Sequence, residues 1–261
     1  MSYNTKISES TLNDPLYKIF KFLNDNRIYN KELQTRYYLG IVKSQNSREE
    51  KIISLLYHIA NTQSQPKIDN LAEFYKNIYK NRDLLNSFSE FMSIISEDWK
   101  PNNYSELYNA MKNQNGWGEK TSALFAKSIF HLHNNEYPSE LRIWDDAPTD
   151  LGKNDKFYLP VDAVIIAIFK QIKPQNWNFK NVNKIIKENY SGKDIEVWDD
   201  LWFWGFITQI GTGDGRTMGW NLNKYWTLRE SDKNPEMILE IKEKANEFLN
   251  ILQESSFQHN L

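Results

Sequence analysis

The chain of 261 residues contains no cysteine. That absence removes disulfide frameworks, thiolate zinc sites, cysteine nucleophiles and iron-sulfur clusters together, because each needs a thiol. Long apolar runs are missing too: none approaches the roughly 18 residues of a membrane span, so no membrane partner is expected. Met1 to Ser10 lacks a basic start followed by an apolar stretch, which predicts no secretory leader and a cytoplasmic protein. Neither sign of charge is in excess. The chain has 32 Lys and Arg against 34 Asp and Glu, a net charge of -2. This argues against a polyanion-binding surface spread over the whole molecule and leaves room for a local basic patch.

Two-residue alternation of apolar and polar positions is also hard to find, whereas apolar residues recur at i, i+3, i+4 and i+7 in segment after segment. The chain reads as all-α. With 40% hydrophobic residues and nine tryptophans, it has enough apolar surface for a packed core. Asp14 and Pro15 resemble an N-cap and first helical position ahead of Leu16, Ile19, Phe20 and Leu23. Further helices are expected around Ile52 to Ile59, near 70–80, 84–97, 178–189 and 194–209, and over 235–253.

Two interior stretches stand out by charge. The segment 134–160 holds three prolines and a glycine, and Glu136 to Asp150 carries five acids and one base, a composition that should avoid phosphates. Ala163 to Lys193 reverses this with Lys170, Lys173, Lys180, Lys184, Lys187 and Lys193 against Glu188, a local charge of +5. Such a run is either a solvated helix face or a nucleic-acid contact.

The most informative window is 103–130. Asn103 and Glu106 have capping-box spacing, and Tyr104, Leu107, Tyr108 and Met111 form one apolar face of a helix ending near Asn113. Asn115-Gly-Trp-Gly-Glu-Lys-Thr121 then opens into an apolar helix running through Ala123, Ala126, Ile129 and Phe130. The unit is helix, Gly-x-Gly hairpin, helix. Paired glycines permit positive φ and close approach, and amide N–H groups at the start of the second helix suit a phosphate. A plain tight turn would look the same. Downstream, Asp162 precedes an apolar helix with Ile165, Ile168, Phe169 and Ile172, as an N-cap does.

Taken together, these motifs resemble the helix-hairpin-helix DNA glycosylase superfamily, most nearly its 8-oxoguanine glycosylase/lyase type, since the iron-sulfur branch needs cysteines. Gly116, Gly118, Lys120 and Thr121 match the family's hairpin, and Pro160-Val161-Asp162 matches its aspartate helix start. The resemblance covers about 60 residues, 104–172, with a tryptophan-rich late helix, Trp198 to Ile210, similar to the family's final core helix. Ala163 and Val164 stand where the family carries a small polar residue and a histidine. The 42 positions from Lys120 to Asp162 mark 134–160 as an insertion.

The resemblance implies an all-α, two-lobed helical fold with the hairpin at the cleft. One lobe would be 34–133 and the other 1–33 plus 134–261. It implies excision of a damaged base from double-stranded DNA, or action at an abasic site, by a monomer that needs no metal or organic cofactor and is nucleoid-associated when bound. Lys120 would attack the sugar C1′ and form a Schiff base, while Asp162 would stabilise charge developing on the sugar. Gly116, Gly118, Thr121, Lys170 and Lys173 would hold the DNA. The alternative is a catalytically silent helix-hairpin-helix module that binds DNA or protein. As a cap, Asp162 should be replaceable by Asn at a cost of a few tenths of a kcal/mol.

The remaining candidates read as structural. His131 and His133 lie two apart on a helix with no carboxylate close in sequence. Gly211-Thr-Gly-Asp-Gly-Arg216 only loosely resembles a phosphate loop and fits a helix-ending loop. Trp198, Trp202, Phe203, Trp204 and Phe206 fit core packing better than a base-stacking wall.

Overall fold

The computed structural model describes residues 15–97, 103–152, 155, 157–228 and 235–257. Its architecture is all-α: helices dominate, and the strands among the described residues are one antiparallel pair of two-residue segments. In chain order the helices are α1 (Pro15–Asp25), α2 (Arg27–Val42), α3 (Arg48–Ala60), α4 (Ile68–Lys80), α5 (Phe88–Ile95), α6 (Tyr104–Lys112) and α7 (Glu119–His133). They continue with α8 (Ala163–Ile172), α9 (Phe179–Asn189), α10 (Lys193–Val197), α11 (Leu201–Ile207), α12 (Leu222–Leu228) and α13 (Pro235–Phe257). The strands β1 (Gln209–Ile210) and β2 (Thr217–Met218) lie between α11 and α12 in sequence.

Pro15 opens α1, and Asp14 lies outside the described residues. The helix expected over 84–97 starts later, at Phe88, because Ser87 is extended and its hydroxyl caps Glu90 N–H. That expected over 194–209 is broken into α10, a 3₁₀ turn at Trp198–Asp200, and α11. The periodicity gave no signal for α2, where Ile28 and Tyr37 are exposed while Tyr38, Ile41 and Val42 are buried.

The chain forms two compact units, one made of Met1–Lys31, Val161–Val182 and Val197–Leu261, the other of Glu32–Pro160 and Asn183–Glu196. In the first, α8 packs against α11 and α13, and α13 also packs against α1. The buried faces are Leu16, Ile19, Phe22 and Leu23 of α1, Ile165, Ile168 and Phe169 of α8, and Ile241, Ala245 and Phe248 of α13. The approach of α11 to α8 depends on Gly205, where a Cβ would strike Ile168 and come within 2.9 Å of Val164 Cγ1.

The expected lobes grouped 134–160 with 161–261, whereas the compact units group it with 32–133 and 183–196. The physical reason is the work done by its supposedly repulsive acids. Asp146 accepts from Phe88 N at 2.7 Å and Ser89 N at 2.9 Å, while Ser87 takes Glu90 N, so the first three N–H groups of α5 are all filled. Asp155 does the same for α6, accepting from Tyr104 N and Ser105 N at 2.7 Å each, while Asn103 takes Glu106 N at 2.7 Å. Partial burial alone would raise the Asp146 carboxyl, but the N–H bonds from Ser89 and Phe88 hold it below the ordinary value. Just before the first of these acids the segment buries Trp144, whose Nε1 donates to Leu85 O at 2.8 Å.

Helix α7 runs through this unit buried on nearly every side, its polar residues included. His131 lies between Tyr38, whose hydroxyl is 3.1 Å from Nδ1, and Glu196, whose Oε1 is 3.0 Å from Nε2. The carboxylate not found near it in sequence therefore arrives from 65 residues away. His133 donates from Nδ1 to Ile129 O at 2.7 Å and accepts at Nε2 from Trp144 N at 3.0 Å and Ile143 N at 3.3 Å. An imidazole that must accept at Nε2 cannot be protonated there, and burial pushes its pKa down from 6.5 to about 4. The folded pKa is the lower one, so the unfolded chain binds the extra proton as pH falls. This stabilisation is complete above about 6.5, is lost progressively towards pH 4, and amounts at most to about 3 kcal/mol. Urea unfolding of wild type and His133→Gln at pH 7 and pH 5 should show about 2 kcal/mol more acid loss in the wild type.

Candidate DNA-binding and catalytic residues

The hairpin joins α6 to α7, which pack tightly together in the second unit. Its middle residue is the anchor: Trp117 is buried, with its ring 5.3 Å from Phe74 and 5.8 Å from Phe125. The two glycines beside it have different reasons. Gly116 has φ +83°, and a Cβ there would lie 2.8 Å from Leu71 Cγ and Cδ2 and 2.9 Å from Leu71 N. Gly118 has φ -109° and open space where a Cβ would stand, so its conformation does not demand glycine. Thr121 sits behind it, accepting from Gly118 N at 3.0 Å and contacting Gly118 O at 3.2 Å.

The start of α7 contrasts with those of α5 and α6. No side chain or carbonyl among the described residues accepts from the N–H groups of Glu119, Lys120 and Thr121. Three donors and the positive end of a long helix dipole thus remain unfilled beside the hairpin. Lys120 is half-buried and donates from Nζ to Thr62 O at 3.2 Å, and Gln63 Nε2 donates to Gly116 O at 3.3 Å. Glu119, the one acid at this helix start, faces Lys112 at 3.9 Å.

Asp162 is the N-cap of α8 in the first unit. Oδ1 accepts from Val164 N at 2.9 Å and Ile165 N at 3.1 Å, and Oδ2 accepts from Trp202 Nε1 at 3.0 Å. Trp202 stacks on Phe206 with centroids 5.0 Å apart, and both rings are half-buried. Trp198, Phe203 and Trp204 are fully buried core residues. The late aromatic run therefore divides by face, and the expectation of core packing holds for these three alone.

Lys170 and Lys173 are exposed at the C-terminal end of α8, which spans about 15 Å for its ten residues, so they stand at the opposite end from Asp162. No carboxylate among the described residues pairs with either. The rest of the basic run is partly neutralised. Lys184 faces Glu188 at 3.8 Å, Lys193 faces Asp150 at 3.4 Å, and Lys187 lies over the Tyr158 ring. Among the described residues no cluster of His, Asp and Glu is arranged to hold a metal ion, and no helix is long and apolar enough to cross a membrane.

Gly116, Gly118, Lys120 and Thr121 are thus brought together at one turn. Sequence reasoning gave Trp117 no role and read Trp202 as core packing without its bond to Asp162. A tryptophan between two glycines in a polar turn was a usable signal for the first. Nothing in the spacing announced the second. Comparison with family models, curated proteins and solved structures finds no match for this chain.

Two outcomes follow from this geometry. Gly116→Ala should lose at least about 1–3 kcal/mol from forced positive φ and the Leu71 clash, while Gly118→Ala should stay within about 0.5 kcal/mol, as read by thermal unfolding. Asp162→Asn keeps the acceptor for Val164 and Ile165 but points an amide donor at Trp202 Nε1–H. Its cost should therefore exceed the few tenths expected of a simple cap change and reach about 1–2 kcal/mol. In the Trp202→Phe background most of that excess should vanish, and a double-mutant cycle in urea measures it.

Proposed function

We propose that this protein is a DNA base-excision glycosylase with lyase activity, acting on double-stranded DNA that carries a damaged base or an abasic site. The observation that carries the reading is the start of α7, where Gly116 and Trp117 fix the turn, three amide donors are unfilled, and a lysine stands in the first helical turn. Phosphate oxygens of a DNA strand are the ligand such donors suit, and they require no base sequence.

In this reading Lys120 Nζ attacks C1′ of the target sugar as the bond from C1′ to the base nitrogen breaks, and the base leaves with the bonding pair and takes up a proton. The ammonium formed gives up one proton, the C1′–O4′ bond breaks as O4′ takes up a proton, and a protonated Schiff base between Nζ and C1′ results. Removal of a C2′ proton then expels the 3′ phosphate. The Asp162 carboxylate stabilises positive charge on the sugar during attack. The target nucleotide must leave the base stack, since neither group can reach C1′ in an intact duplex.

The hydrogen bonds of Asp162 favour a second reading. Both of its oxygens already accept from N–H groups, as a purely structural cap would, and this suits a silent helix-hairpin-helix module. Borohydride reduction separates the two. Wild type incubated with abasic or lesion-bearing duplex should be trapped as a covalent adduct, EDTA should leave the yield unchanged, and Lys120→Ala should form none. Absence of an adduct with every lesion and abasic duplex would overturn the lyase reading and favour the silent module, and an undiminished adduct in Lys120→Ala would remove that residue from the chemistry.

A further inference from the structure

The glycine-rich loop after α11 takes no part in the chemistry above, yet the first unit sets two cations at its end. Arg216 Nη1 donates to Gln209 Oε1 at 2.8 Å, and the fully buried Gln209 donates from Nε2 to Val164 O of α8 at 3.0 Å. One edge of the guanidinium is therefore pinned, while its other donors remain for a ligand. Lys224 on α12 is held by a different device, its Nζ lying 5.0 Å from the centre of the Phe206 ring. Asn221 ties the two arrangements together: Oδ1 accepts from Lys224 N at 3.1 Å, and Nδ2 donates to Gln209 O at 3.1 Å.

The two cations feel each other. Burial first, and then the Arg216 charge, lower the Lys224 pKa from its ordinary value. Among the residues whose side chains are described, a set that leaves out Asp214, no carboxylate lies within ion-pair distance of either group, although lysines elsewhere in the unit, such as Lys18 and Lys21, have such partners. Holding like charges together on a built framework costs free energy until an anion joins them.

We infer that Arg216 and Lys224 form an oxyanion site for a phosphoryl group, either of a free phosphomonoester or of a nucleic-acid backbone. Arginine supplies directional paired donors and lysine a point charge, a combination suited to a tetrahedral oxyanion. The site does not depend on Lys120 or on any lyase step, so it stands or falls separately from the proposed excision chemistry.

The test uses the full chain with Lys224→Gln and Arg216→Gln/Lys224→Gln, and Lys21→Gln, the same loss of charge at an exposed lysine of the same unit, as a control. At low salt, inorganic phosphate and a deoxynucleoside monophosphate should raise the Tm of wild type and Lys21→Gln, and the rise should be clearly smaller in both site variants. With a short duplex, the slope of log Kd against log salt should fall by about 1–2 in the double variant, since each phosphate contact contributes about 0.9. A lost thermal shift with an unchanged slope assigns the site to free phosphomonoesters, and a reduced slope without a thermal shift assigns it to the DNA backbone. Equal responses of wild type and both variants in every arm would overturn the inference.

Discussion

Every α-helix begins with amide N–H groups that its own turns cannot use, and much of this molecule is arranged by where those groups find acceptors. In the second unit the answer comes from far along the chain. Asp146 and Asp155 each cover the first two N–H groups of a helix that begins 50 or more residues earlier, and the local Ser87 and Asn103 cover the third. The helix that follows the Gly-Trp-Gly turn receives no such cover. The same physics that closes α5 and α6 leaves α7 open, as it does α4, whose cap Lys67 makes no side-chain hydrogen bond. What sets the α7 end apart is the fixed Gly-Trp-Gly turn with Lys120 beside it.

Local features of this scheme were legible in the sequence. Asn103 and Asp162 cap where their spacing to the following apolar face placed them, Gly116 takes the positive φ that a tight turn invites, and the helical period marked the faces of α3, α7, α8 and α13. Each depends on residues within about one helical turn. What could not be read depends on partners brought in by folding. The acids of 136–150 look like a region hostile to phosphate until Asp146 is seen to be occupied by backbone donors, as Asp155 is just beyond them. His131 looks unpartnered until Glu196 arrives, and Trp202 looks like another core aromatic until its indole N–H is found on Asp162.

Charge shows the same limit. The run of lysines over 163–193 reads as one basic stretch, but folding distributes it. Lys193 goes to Asp150 and Lys184 to Glu188, while Lys170 and Lys173 sit at the end of α8 where cations favour the helix dipole in any case. Counting charges along a chain measures composition. The field a ligand meets is set by which charges the fold has already paired.

The distant caps also set an order of assembly. Asp155 lies 51 residues beyond Tyr104 and Asp146 lies 58 beyond Phe88, so when the chain is made from its amino end the starts of α5 and α6 emerge with their donors open to water. They can close only after α7 and most of the following segment have left the ribosome. Pairings of such long sequence separation carry a large loop-closure cost and slow the folding of a domain that depends on them. The second unit is therefore built to lock late: two carboxylates near residue 150 close the starts of α5 and α6, and Glu196, which reaches back to His131, emerges later still.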